Sequence, residues 1–184
     1  MMSTQRELEE SCWQLLLPYL ARWLDQVPSV TYPFGCWNYD IPGNKPTYLN
    51  VHVLNAFQLG SPFTERRDEL ISSLLAMLED GGKEHPQATG VCCSTWLNRF
   101  EPFNALFPTS WAESFVLTRY YATYGWWGQY MDHRGAFHSA RAERLRRDGW
   151  HPYPAGRAEC GLSEAIEHLN ALAHEPIQRD RSYT

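Results

Sequence analysis

The sequence predicts an α/β (α+β) fold, a single central mixed β-sheet covered by helices, in one domain of 184 residues. Three observations carry that expectation. Hydrophobic residues make up 43% of the chain and charged residues 20%, the balance of a globular protein with one core. Residues 47–96 run through a strand pattern, a helix pattern and a second strand pattern, the order of a βαβ unit. More strands and helices follow with no linker and no internal repeat, so all of them are assigned to one sheet.

Taken in order, the first element is a helix over Thr4 to Leu24. Thr4 and Glu7 form a capping box, and Leu8, Cys12, Leu15, Tyr19 and Trp23 share a face. Pro18 removes a backbone donor and predicts a kink. Val27 to Pro46, with four prolines and two glycines, reads as an ordered irregular loop, a lid or pocket wall. Thr47 to Asn55 reads as a strand with Leu49, Val51 and Val53 on one face and Tyr48, Asn50, His52 and Leu54 on the other. Thr64 then caps a helix with the apolar stripe Leu70, Ile71, Leu74, Leu75 and Leu78, and Gly81-Gly82 stops it.

A second strand is expected over Thr89 to Trp96, then a short helix near Phe100 to Phe107 that Pro108 ends. Glu113 to Arg119 and Trp126 to Met131 alternate as strands three and four. Helices over Phe137 to Asp148 and Ser163 to Ala173 flank a turn at Pro152-Tyr153-Pro154, and the tail from about residue 175 is polar and frayed.

Composition narrows the function classes. A formal charge of -5 argues against a nucleic-acid partner, which calls for a basic footprint. No apolar run approaches the roughly 20 residues of a membrane span, and Met1 to Glu10 is too polar for a secretory signal. Five cysteines, two of them adjacent at Cys92-Cys93, suit reduced thiols in the cytoplasm better than a disulfide framework. No dinucleotide fingerprint, P-loop, zinc-protease helix or nucleophile elbow is present. No cofactor and no metal are therefore expected, and the expected partner is a small-molecule substrate.

The candidate site gathers in the last third of the chain. A strand at Trp126 to Met131 would place Trp127, Gln129, Met131 and His133 on one face, with Gly128 leaving a gap for a ligand. The same pattern reads equally well as a packed sheet whose glycine makes room for indoles. On the next helix His138 and Arg141 fall beside the apolar face of Ala142 and Leu145, with Asp132 and Glu159 as candidate partners. Arg144, Arg146 and Arg147 fall on its solvated face. Asn50 and His52 on the first strand, and Asn55 at its end, add a polar group where open α/β sheets often carry function. Each histidine also has an ordinary structural reading as a hydrogen-bonded core residue. Ser94 and Cys93 are available nucleophiles without a spacing that marks activation.

The runs Thr95-Trp96-Leu97-Asn98, Leu106-Phe107-Pro108, Gly125-Trp126-Trp127-Gly128-Gln129 and Gly149-Trp150-His151-Pro152-Tyr153 resemble a family of bacterial proteins with no assigned activity. The Val51-His52-Val53 strand, the Glu65 to Glu79 helix and the Ser94 to Leu97 strand resemble the core of acetyltransferase-like domains. That second resemblance implies acyl transfer from an acyl-CoA, although the phosphate-binding loop before a helix is missing here.

The leading expectation is an enzyme that acts on a polar or anionic metabolite by acid–base chemistry. His138, Asp132 and His52 are its expected catalytic residues; Arg141, Trp127, Gln129, Asn55 and Tyr153 are expected to bind substrate. The alternatives are acyl transfer and a non-catalytic binding protein that uses an exposed apolar patch.

Overall fold

A parallel pair of strands joined through one long helix sets the frame. In this computed structural model, which describes residues 14, 32–57, 60–118, 128–134 and 136–174, β2 (Tyr48–Val53) pairs in parallel with β3 (Gly90–Thr95). The connection between them is α1 (Arg67–Glu84), so the expected βαβ unit is present. β1 (Trp37–Asp40) adds antiparallel to the outer edge of β2. On the other side β5 (Gly156–Gly161) pairs antiparallel with β3, and the two-residue β4 (Val116–Leu117) pairs antiparallel with β5. The result is a mixed five-stranded sheet in the order β1-β2-β3-β5-β4, an α/β fold. The described residues from Tyr32 to His174 belong to one compact unit. The helix expected over Thr4 to Leu24, Gln14 apart, and the tail from residue 175 lie outside the described residues.

The pleat decides which side of the sheet is apolar. Register aligns Trp37 with Val53, Tyr39 with Val51, Leu49 with Val91 and Cys160, and Cys93 with Ala158, and these residues share one face. That face is buried under α1 and α5 (Leu162–His174), whose Leu70, Ile71, Leu74, Met77, Leu78, Ala165 and Leu169 complete the core. Burying seven such side chains contributes about 1.5–3 kcal/mol for each large one. Short helices α2 (Glu101–Asn104) and α3 (Thr109–Glu113) close the end of the core, with Phe103, Leu106 and Trp111 fully buried. Phe107 stacks on Trp111 at 3.9 Å between centroids and 10° between planes. Trp37 Nε1–H finds the Leu70 carbonyl at 3.0 Å, so the indole is buried with its donor satisfied.

Several local expectations are corrected. Thr64 does not cap α1: Arg66 stands at the cap position without a side-chain bond, and it pairs with Glu69 instead. Gly81-Gly82 does not stop the helix, which continues to Glu84. A Cβ on Gly81 would lie 2.8 Å from Leu49 Cδ1 and 3.3 Å from the Tyr39 ring, so the glycine serves close packing of helix on sheet. Val27 to Pro46 is not wholly irregular, because β1 lies within it. The strand expected over Glu113 to Arg119 shrinks to Val116–Leu117, as Glu113 closes α3 and Arg119 lies outside the described residues. Trp126 and Trp127 also lie outside them, and Gly128–Tyr130 is a 3₁₀ turn where a strand was expected. α4 (Ser139–Asp148) matches its expected helix closely and ends on Gly149, whose φ of 67° is the left-handed conformation that closes helices.

Candidate functional site

The second face of the sheet is polar, and its register brings chemistry-bearing side chains into rows. Asp40 stands opposite Asn50, Asn50 opposite Cys92, and Cys92 opposite Glu159, one row crossing four strands. In the adjacent row Asn38 stands opposite His52, and Ser94 opposite Arg157. A sheet with one face on the core can leave its other face to water, so polarity alone does not mark a site. The geometry of particular pairs says more.

His52 Nε2 lies 2.7 Å from Asp40 Oδ2, with side chains 45% and 57% exposed. Asn50 Nδ2 donates to Asp40 Oδ1 at 3.1 Å and lies 3.3 Å from His52 Nε2. A carboxylate at Nε2 holds the proton on that nitrogen and leaves Nδ1 of the neutral ring as the basic atom. An exposed pair of this kind adds at most about 1 kcal/mol to stability. What it fixes is the orientation and tautomer of an imidazole that water can reach.

Further along the row, Glu159 Oε2 accepts from Lys45 Nζ at 2.6 Å and from Arg157 Nε at 3.2 Å. The Lys45 ammonium holds the Glu159 carboxyl below its ordinary value, against the opposing pull of partial burial. Lys45 also sits over the Tyr48 ring, 4.5 Å from its centroid. Between the two groups Cys92 is buried, its thiol 3.8 Å from Asn50 Oδ1. Burial pushes that thiol up, and the attraction of Arg157 and Lys45 does not offset it. Its neighbour Cys93, on the core face, is pushed up to about 12 by burial. Neither is an activated nucleophile.

The residues expected in the last third converge, but mainly on one another. Gln129, fully buried, accepts from Tyr153 N at 3.1 Å and donates to Tyr153 O at 3.4 Å, clamping the Pro-rich turn. Arg141 is not partnered by Asp132 or Glu159. Its Nη1 donates to the Gln129 carbonyl at 2.8 Å, and its guanidinium lies 5.8 Å and 5.4 Å from the ring centroids of Trp96 and Tyr153. Asp132 Oδ1 accepts from Arg134 N and Ala136 N at 2.8 and 2.9 Å, bonds that hold its carboxyl below the ordinary value and shape a turn. His138 joins through its backbone, its N–H donating to the Tyr130 carbonyl at 2.7 Å. Asn55 Nδ2 donates to the His133 carbonyl at 3.2 Å, tying the end of β2 to this segment. The gap expected at Gly128 is modest, since a Cβ there would meet Trp96 Nε1 at an ordinary 3.6 Å. Trp127 lies outside the described residues. His52 stands apart from this group, on the polar face.

Sequence reading missed three participants on that face and one pair elsewhere. Asp40 was hidden in a stretch read as loop, though Trp37-Asn38-Tyr39-Asp40 alternates apolar and polar. Arg157 was hidden because β5 was not read as a strand, although it and Glu159, named in the sequence only as a candidate partner for the His138–Arg141 helix, flank Ala158 at the two-residue strand period. Lys45 sits in the β1–β2 connection with no local signal. The pair is Tyr130 and His151, Oη to Nδ1 2.7 Å; burial raises the phenol and lowers the imidazole, and the tautomer of His151 sets which of the two donates.

Among the described residues no group of three or more His, Cys, Asp or Glu side chains could hold a metal ion, and no helix is long and apolar enough to cross a membrane. No protein-family model matches the chain, and no curated protein or solved structure matches it.

Proposed function

We propose that the chain is an acid–base enzyme acting on a small polar or anionic molecule, with its site on the polar face of the sheet. The observation that supports this most is the Asp40–His52 pair. A carboxylate fixes the tautomer of an accessible imidazole, and imidazole is the side chain best suited to exchange protons near neutral pH. His52 is the proton-transfer group in this reading and Asp40 its orienting partner, the role first expected of Asp132. Asn50, bonded to Asp40, holds the carboxylate in place and offers its amide to a polar substrate. A panel of small carboxylic acids incubated in heavy water tests it, with solvent deuterium entering carbon positions read by NMR. Wild type should catalyse exchange into at least one compound, and His52→Gln should lower that rate by about 10²–10⁴. Unchanged exchange in His52→Gln would remove the assignment.

A second reading, partner binding, draws on different residues. Met131 and Phe137 bridge one another and are 53% and 65% exposed. Paired apolar exposure of this kind suits a contact surface. Sedimentation of wild type against Phe137→Ser tests self-association through it, and identical monomeric behaviour at high concentration counts against that form.

A further inference from the structure

The Lys45–Glu159–Arg157 cluster carries more positive charge than its own residues neutralise. Two cations converge on a single oxygen, Glu159 Oε2, at 2.6 and 3.2 Å. Their side chains are only 35%, 27% and 30% exposed (Lys45, Arg157 and Glu159), so water screens them incompletely. One carboxylate against two cations leaves a formal surplus of one positive charge. Among the described residues no neighbour supplies the balance. Cys92, opposite Glu159, is kept protonated by burial, and Asp40, at the far end of the row, is bonded to His52 and Asn50. Tyr48, beneath the Lys45 ammonium, is a neutral ring, and Ser114 meets Glu159 only through the backbone, its Oγ accepting from Glu159 N at 2.8 Å. Arg157 Nη2 is buried without a geometric hydrogen-bond partner among the described residues, on a guanidinium whose Nε is in use by Glu159 and which otherwise faces the buried, neutral Cys92 thiol.

We propose that Lys45 and Arg157 seat a carboxylate or phosphate group of the substrate, with Glu159 setting their position. Guanidinium and ammonium donors are well suited to oxyanions, and a singly charged group would neutralise the surplus. The seat lies on the same sheet face as His52. β2 and β5 are separated by one strand, so about 10 Å divides the strands that carry the base and the guanidinium. The substrate class is therefore a compact molecule with an oxyanion at one end and an exchangeable proton a few bonds away. That assignment to substrate rests on the acid–base reading of His52; anion binding itself does not.

The test titrates acetate and, separately, inorganic phosphate into the full chain at constant ionic strength held with chloride. The Arg157 Nε–H signal is followed by NMR and the melting temperature alongside it. Saturable shifts with one of the two anions at millimolar concentration, weakened at least tenfold in Lys45→Met and in Arg157→Lys, are expected, and the anion that saturates identifies the oxyanion type. Non-saturating shifts with both, or equal affinity in wild type and Lys45→Met, overturn the seat; Lys45→Met keeps the test decisive if the Arg157 variant does not fold. His52→Gln separates the two readings. Intact anion binding with unaltered deuterium exchange in that variant removes the catalytic role and leaves the seat. Lost exchange without saturable binding in wild type does the reverse.

Discussion

The buried amide of Asn98 donates to the carbonyls of Cys93 and Gly156 at 2.9 and 2.8 Å and accepts from Trp111 Nε1–H at 3.2 Å. One side chain thereby joins β3, β5 and α3, and its removal takes a partner from two backbone carbonyls and from the buried Trp111 indole N–H. Asn98→Ala should lower the unfolding free energy by roughly 2–4 kcal/mol in urea with the m-value unchanged. Asn98 belongs to the Thr95-Trp96-Leu97-Asn98 run that stood out in the sequence. Thr95 Oγ1 accepts from Leu97 N, Trp96 packs against the core beside Phe100 and Tyr153, and Leu97 is core, so the run is tied to the fold at all four positions. His151 gives a residue-scale pH prediction. Burial lowers its value from 6.5, so the unfolded chain takes up that proton first as the pH falls. Its contribution is complete above about 6.5 and declines below it, whereas the lowered carboxyls of Asp132 and Glu159 lose theirs only as the pH falls below their ordinary 3.8 and 4.5. Melting temperature should therefore drop between pH 7.5 and 5.5 in wild type and drop less in His151→Gln. An equal drop in both would show that other groups set the slope.

At the scale of elements, sequence reading did well where one pattern dominates and poorly where packing overrides it. β2, α1 and α5 were legible because each carries period-two or period-3.6 apolar residues; β3 is a short continuous buried run, and α4 was legible with only Ala142 buried among its ten residues. β5 was not, since Gly156, Ala158, Cys160 and Gly161 are small and its larger residues are charged; only the sheet around it makes it a central strand. Gly81-Gly82 looked like a stop because local propensity says so, yet tertiary packing carries the helix through. That contrast is measurable. Gly81→Ala forces a methyl against Leu49 and Tyr39 and should destabilise by about 1–3 kcal/mol. Gly82→Ala meets only Leu162 Cδ2 at 3.4 Å and should be neutral or stabilise by up to about 1 kcal/mol through the gain in helix propensity. Circular dichroism melts decide both, and similar destabilisation by the two would refute the packing account.

Across the whole molecule, the sheet divides labour between its faces. The apolar face, under α1 and α5, holds the fold; the polar face carries the Asp40–His52 and Lys45–Glu159–Arg157 groups, to which the proposed chemistry is assigned. Four cysteines, Cys36, Cys92, Cys93 and Cys160, are buried in this arrangement, with Cys93 and Cys160 pushed up to about 12 by desolvation. In the folded chain at pH 7.5 they should resist iodoacetamide, and all four should label after unfolding; rapid native labelling of Cys92 would mean that the polar face opens. His52 could be placed on the polar face from sequence because it alternates against Leu49, Val51 and Val53, but its neighbours there come from segments read as loop or not read as strand. No local pattern records which strands become neighbours, so the row Asp40-Asn50-Cys92-Glu159 could not be assembled from sequence. Proton transfer is assigned to His52 on this face, with His138 at the start of α4 as the rival. The most direct measurement is the deuterium-exchange rate of wild type, His52→Gln and His138→Gln on one responsive substrate. A loss of at least about 10² in His52→Gln with a near wild-type rate in His138→Gln is expected; the opposite pattern would move proton transfer to His138.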